Sequence, residues 1–182
     1  MIERYKPNTT VACVIYSQGK FLLVEECING EIKFNQPAGH LEANESIVAA
    51  CAREIIEETG LGLTPQAIVG IYQFQASARL AFVRYTFCIE LAEQQQAMPL
   101  DPAITATHWL TLAEISALAP QLRSPLVLKS INDYLQQAGI PQAGLTTEQA
   151  RLTDPRQPLL TPIHPKQHYP LSLLNADNLL AN

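Results

Sequence analysis

Apolar and β-branched residues run from Thr9 to Tyr16 and predict a strand. Ser17-Gln18-Gly19 turns the chain, and Lys20 to Glu26 returns as the second arm of a hairpin. Asn29-Gly30 is the strongest turn dipeptide present and leads to a strand over 31–36, which Pro37 ends. Farther on, Ala67 to Phe74 and Leu80 to Leu91 read as strands joined by a turn at 76–79. In the longer one, Phe82, Arg84, Thr86, Cys88 and Glu90 share one face, and Val83, Tyr85, Phe87 and Ile89 share the other. Residues 92–103 form a polar loop, and Ile104 to Leu110 is a short strand.

A loop from Gly39 and then a helical period separate the two groups of strands. Asn44 is placed to cap it, and Glu45 sets a negative charge at the positive end of the helix dipole. Gly60 is the expected left-handed stop. Val48, Cys51, Ala52, Ile55 and Ile56 form the apolar side, expected to face a core. Thr111 to Glu114 is a capping box that opens a short helix. Ser124-Pro125 opens another, with serine at the cap, which runs to about Gln137 and ends at Gly139. Strands on both sides of a central helix, with later helices, predict an α+β sandwich.

The pattern fails after Gly139. Six of the thirteen prolines fall between Pro141 and Pro170. The expected division is a domain at 1–139 and a proline-rich tail at 140–182, with apolar anchors at Leu159-Leu160 and Leu171 to Leu174.

Composition narrows the function. A chain of 182 residues suits one domain with a real core. A net charge of −5 without a basic stripe argues against binding long nucleic acid. Cys13, Cys27, Cys51 and Cys88 lack paired metal spacing and read as reduced core thiols. Met1-Ile2-Glu3-Arg4 does not read as a signal peptide, and no run reaches transmembrane length. The expectation is a cytoplasmic protein without a membrane.

The chemistry lies on the helix. Glu54, Glu57 and Glu58 stand at i, i+3 and i+4 on one face, with only Arg53 beside them. Like charges at this spacing repel by roughly 0.2–0.5 kcal/mol per exposed pair. A hard divalent cation would remove that repulsion, since Mg²⁺ takes carboxylate oxygens together with water and substrate phosphate. A lone arginine, Arg84, in an apolar strand is a candidate fork for a phosphate oxygen.

The spacing is more specific than the charges. Gly39, five residues, Glu45, seven residues, Arg53-Glu54, then Glu57-Glu58 and Gly60 resemble the signature of the Nudix hydrolases at every fixed position. Seven fixed residues match by chance on the order of once in a hundred million start positions. Val11 to Val14, Val24-Glu25-Glu26, Asn35 to Ala43 and Leu122 to Val127 are similar to the NudJ-type phosphatases within that family, over roughly residues 7–135. Tyr169-Pro170-Leu171 is similar to the short terminal segment of that group.

The resemblance implies a Nudix-type α/β/α sandwich with a mixed β-sheet. It implies a Mg²⁺-dependent enzyme, with Mn²⁺ as a substitute, acting on small diphosphates and nucleotides. Hydroxymethylpyrimidine pyrophosphate, thiamine pyrophosphate and nucleoside di- and triphosphates are the implied substrates. Glu54, Glu57, Glu58 and the Gly39 carbonyl would hold the metal, with Arg53 orienting a glutamate. Glu45 and Gly60 would shape the site. Arg84 first, and Lys33 second, would meet phosphoryl charge. Phe34, Tyr72, Phe74 and Trp109 are candidates to stack on a ring. The general base stays open between Glu57 and Glu58, with Glu90, Glu93 and Asp101 outside the motif. A monomer or weak homodimer is expected. Two alternatives remain: a nucleoside triphosphate pyrophosphatase, and a non-catalytic sensor of a nucleotide-sugar.

Overall fold

The computed structural model describes residues 5–77, 80–140 and 162–163. At its centre is β1 (Asn8–Ser17), buried from Thr10 to Ile15. An unbroken apolar run is what a strand covered on both faces requires. β2 (Lys20–Ile28) follows a turn in which Gln18 and Gly19 both take positive φ. The hairpin pairs only Tyr16 with Phe21 and Ser17 with Lys20, and then the strands part. β2 continues between β3 (Glu31–Asn35) and β7 (Ile104–Thr111), antiparallel to both. The edge of β1 left by β2 is taken by β4 (Ala38–His40), with Val11 opposite Gly39. The other edge of β1 runs parallel to β6 (Leu80–Glu90), which pairs antiparallel with β5 (Ala67–Ser77). β8 (Pro162–Ile163) lies antiparallel on β5.

Helices cover both faces. α1 (Ile47–Thr59) packs on β1 and β4, over Val11, Cys13, Ile15, Phe87 and Ile89. α2 (Leu112–Ala117) and α3 (Leu126–Gln137) cover Val14, Leu23, Phe34 and Cys88 on the opposite face. The alternation along β6 divides accordingly, Phe87 and Ile89 to the α1 side and Cys88 to the α3 side. The architecture is an α+β sandwich around a mixed sheet. Two polar links pin α3: Tyr72 donates to Asp133 Oδ2 at 2.8 Å, and Gln36 Nε2 donates to Ser130 Oγ at 2.8 Å. Gly70 leaves room for this, since a Cβ there would stand 3.0 Å from the Tyr72 hydroxyl.

Five local expectations are corrected. Residues 38–40 form a strand rather than a loop, because β1 has a free edge there. Ser46, not Asn44, caps α1, its Oγ accepting from Ala49 N–H at 3.1 Å. Asn44 instead takes the left-handed turn before it, at φ 67°. Ile56 is 40% exposed, while Glu54 and Glu58 are buried, so the helix is rotated from its simple amphipathic reading. Ser124 Oγ makes no capping bond, and α3 starts on Pro125. Cys27 is exposed, although Cys13, Cys51 and Cys88 are buried.

The Thr111–Glu114 capping box and the left-handed Gly60 stop are present. A Cβ at Gly60 would collide with the Met98 carbonyl. Among the described residues no helix is long and apolar enough to cross a membrane. The tail reading at 141–182, including Tyr169-Pro170-Leu171, lies outside the described residues apart from β8.

Candidate active site

β4 and α1 build the site together. A Cβ on Gly39 would fall on the Glu54 carboxyl, so only glycine lets the strand pass so close to the helix. Beside it, the Ala38 N–H donates to Glu58 Oε2 at 2.9 Å. Two of the three helix carboxylates are therefore pressed against strand backbone, and only Glu57 is substantially exposed.

Arg53 ties the cluster together. Its Nη1 donates to Glu54 Oε1 at 2.8 Å and to Glu57 Oε2 at 3.0 Å. Its Nε and Nη2 grip the two oxygens of Glu45 at 3.1 and 2.9 Å, a bidentate fork. Nη2 also donates to the His40 carbonyl at 3.0 Å. Glu45 Oε1 accepts in addition from Glu42 N–H at 2.7 Å, which fixes the turn into the helix. These carboxylates hold the Arg53 guanidinium well above its ordinary range.

Charge is not balanced at the third glutamate. Burial pushes Glu58 up to about 8, against the pull of the Ala38 N–H. Glu54, Glu26 and Asp101 add to the upward shift. Burial also raises Glu54, with Arg53 opposing it.

Fit to a divalent cation follows from the same contacts. Among the described residues, no three acid, histidine or cysteine side chains already converge as a metal cage. Arg53 bridges Glu54 and Glu57 instead, supplying one positive charge to the cluster and none to Glu58. Yet Glu54 Oε2, Glu57 Oε1 and Glu58 Oε1 have no described hydrogen-bond partner. An acid cluster with one free oxygen per carboxylate and an under-compensated buried member suits a hard cation.

The other sequence candidates divide. Arg84 on β6 is partly buried, and its Nε and Nη1 are sealed from solvent without a hydrogen-bond partner. Burial and the nearby Arg123 lower it to about 10, while Glu58 pulls it back up. Asp101 stands near enough to Glu58 to raise it, but its Oδ1 accepts from Ala103 N–H at 2.8 Å. Its own N–H caps the end of α1 by donating to the Glu57 carbonyl at 2.8 Å. Lys33 pairs with Glu31 at 2.9 Å. Phe34 is buried in the α3-side core, with its ring 5.6 Å from His108, so it offers no open stacking wall. Tyr72 is likewise buried, its hydroxyl taken by Asp133. Trp109 packs on the α1-side core and donates to the Gln95 carbonyl at 3.0 Å.

Two residues at the site had no assigned role in the sequence. Glu26 and Arg123 are ion-paired, 97 positions apart. Glu26 acts on Glu58 and Arg123 on Arg84. Both lie in segments of family resemblance, which was the available signal.

Known proteins resemble this chain in sequence and in fold. The NUDIX domain family model matches residues 6–128. Phosphatase NudJ of Escherichia coli K12 is 48% identical over 130 residues, covering 71% of this chain and 84% of that protein. A NUDIX hydrolase from Nitrosomonas europaea is 45% identical with a TM-score of 0.66, over 74% of this chain and 90% of that one. The NUDIX domain of Shewanella oneidensis NrtR, solved with ADP ribose, shares the fold at 17% identity, with a TM-score of 0.64 over 74% of this chain and 90% of that one. An intact signature, a glycine packed on its glutamate, and these matches lead to one conclusion: the chain belongs to the NUDIX domain family and is a Nudix hydrolase.

Proposed function

We propose that this enzyme hydrolyses the pyrophosphate bond of small organic diphosphates, with Mg²⁺ or Mn²⁺ as cofactor. Hydroxymethylpyrimidine pyrophosphate and thiamine pyrophosphate are the preferred class, with nucleoside di- and triphosphates as looser substrates. One observation carries the reading: a buried, under-compensated carboxylate cluster shares a site with a sealed, unpartnered guanidinium. The first suits a cation and the second an anion, and a metal-bound diphosphate supplies both. The 48% identity to phosphatase NudJ supports the same class.

Glu54, Glu57, Glu58 and the Gly39 carbonyl would hold the cation, which would polarise phosphoryl oxygens and acidify a water. Arg53 orients Glu54 and Glu57 through Nη1 and anchors them to the Glu45 turn. Arg84 meets phosphoryl charge with its two unused donors. The base is Glu57 or Glu58, with Asp101, whose Oδ1 accepts from Ala103 N–H, as the candidate outside the motif. The protein works in the cytoplasm as a monomer or weak homodimer.

Phosphate release with Mg²⁺ tests this. The panel is thiamine pyrophosphate, hydroxymethylpyrimidine pyrophosphate, ATP, ADP and ADP-ribose, beside Glu57→Gln, with orthophosphate and pyrophosphate detected separately. Orthophosphate from the pyrimidine diphosphates, lost in the variant, is the expected result. Pyrophosphate from ATP alone would favour a nucleoside triphosphate pyrophosphatase. Bound ADP-ribose without turnover of anything would favour a sensor.

A further inference from the structure

Among the described residues, Thr10 Oγ1, Thr86 Oγ1 and two nitrogens of Arg84 are sealed from solvent without a hydrogen-bond partner. Thr10 is 4% exposed and Thr86 0%. Strand register brings these groups together. Thr10 on β1 stands opposite Arg84 on β6 and, along its other edge, opposite His40 on β4. Arg84 in turn stands opposite Tyr72 on β5. Register partners project to the same face, so His40, Thr10, Arg84 and Tyr72 form one row across four strands. Thr86, two residues along β6, shares that face and extends the polar strip. Buried polar groups are ordinarily paired, so an adjoining set left unpaired points to a ligand.

The two ends of the row differ. α3 closes the Tyr72 end, where the hydroxyl donates to Asp133, whereas His40 is exposed. Phe82, two residues from Arg84 in the other direction, is half-buried, and its ring lies 6.4 Å from that of His40 at a tilt of 52°. The two rings therefore form an open aromatic corner, and Phe74, half-buried opposite Phe82, extends one wall. β4 ties this corner to the glutamate cluster. The place of the missing Gly39 side chain falls on Glu54, so its neighbour His40 projects to the opposite face. The His40 carbonyl meanwhile accepts from Arg53 Nη2 at 3.0 Å.

Resting on the proposed hydrolase activity, we propose that His40, Phe82 and Thr10 read the organic group of the substrate, and that this group is a planar heteroaromatic ring. The ring packs into the His40–Phe82 corner. The Thr10 hydroxyl exchanges a hydrogen bond with a heteroatom or polar substituent of the ring. Arg84 holds the phosphoryl end, about 7 Å from Phe82 along the strand, which suits a short linker between ring and phosphate. None of the three is a fixed position of the glutamate signature, so they set which diphosphate is taken rather than how it is cleaved. They replace Phe34 and Tyr72, which are packed in the core.

The test compares kcat/KM of the full chain, with Mg²⁺, on a ring-bearing and a ring-free diphosphate: hydroxymethylpyrimidine pyrophosphate and isopentenyl pyrophosphate. The readout is the ratio of the two. Phe82→Leu keeps apolar bulk without an aromatic face and should lower that ratio roughly tenfold, chiefly through KM of the ring substrate. His40→Ala should lower it several-fold, and His40→Phe should restore part of the loss. Thr10→Val keeps the branched shape without the hydroxyl and should lower it about fivefold, with Thr10→Ser restoring it. Circular dichroism melting checks folding, and exposed His40 keeps the test decisive if Phe82→Leu does not fold. A wild-type ratio in folded His40→Ala or Phe82→Leu would overturn the proposal, and so would equal losses on both substrates. Calorimetric binding of the same two diphosphates in EDTA separates the corner from the hydrolase reading. Ring-selective binding that His40→Ala abolishes, without turnover of either, would keep the corner and discard the hydrolase. Turnover of both with no change of ratio in the variants would do the reverse.

Discussion

Two buried polar networks, one built on α3 and one on α1, are arranged in opposite ways. In the α3 network Tyr72 pairs with Asp133, Asp133 with Lys129, and Gln36 with Ser130. The Lys129 ammonium lies 2.6 Å from Asp133 Oδ2, and charge cancels within one turn of helix. In the α1 network, three acids, Glu45, Glu54 and Glu57, share Arg53 as their cation, and Glu58 has only a backbone N–H. Buried polar groups are ordinarily satisfied, so a closed network serves the fold and an open one marks a site for something else. The lesson is that the count of buried charges tells little. What separates scaffold from site is whether the charges are cancelled from within.

The largest effect should come from breaking the open side. Glu57→Gln should lower kcat by roughly a thousandfold or more, the loss of several kcal/mol of transition-state stabilisation, while the melting temperature stays unchanged. A variant that melted early instead would make Glu57 a structural residue. Gly39→Ala should come next, because its new methyl group meets the Glu54 carboxyl. A loss of tens-fold in kcat/KM, with weaker Mg²⁺ activation in a metal titration, is expected on the order of 2 kcal/mol.

Disturbing the closed side should do the opposite. Tyr72→Phe leaves Asp133 short of a donor and should cost about 1–3 kcal/mol in urea unfolding. Activity of the folded fraction should stay near that of the wild type.

The pH dependence sharpens the contrast. Glu58 titrates near 8 when folded and near the ordinary carboxylate value when unfolded. The folded state then holds the extra proton between those values, so metal-free stability falls as pH rises through that window. A decline on the order of 2 kcal/mol between pH 5 and pH 8 is expected, measured by chemical denaturation in EDTA. Glu58→Gln should flatten it, and Mg²⁺ should oppose it. The smallest effect belongs to Ser46→Ala, which removes the α1 cap at about 1 kcal/mol.

How much was legible varied by scale. Strand and helix positions followed from local periodicity, since alternation and turn residues act over a few positions. The three-residue β4 did not, because its pairing depends on where β2 leaves β1. The Asn44 cap was misplaced by two residues for a similar reason. Three polar residues in a row could each cap, and the Arg53 fork on Glu45 decides among them. The burial of Phe34 was not legible either, because a sequence cannot say which side of a strand is filled by α3.

The sequence by itself determined the family, the order of elements and the spacing that puts three glutamates and Arg53 on one helix. These are local, covalent facts of the chain. Only the tertiary structure decided that Glu58 is buried against Ala38, that Arg84 keeps two donors unpaired, and that Glu26 meets Arg123 across 97 residues. Desolvation and ion pairing depend on neighbours distant in sequence, and these set the electrostatics of the site.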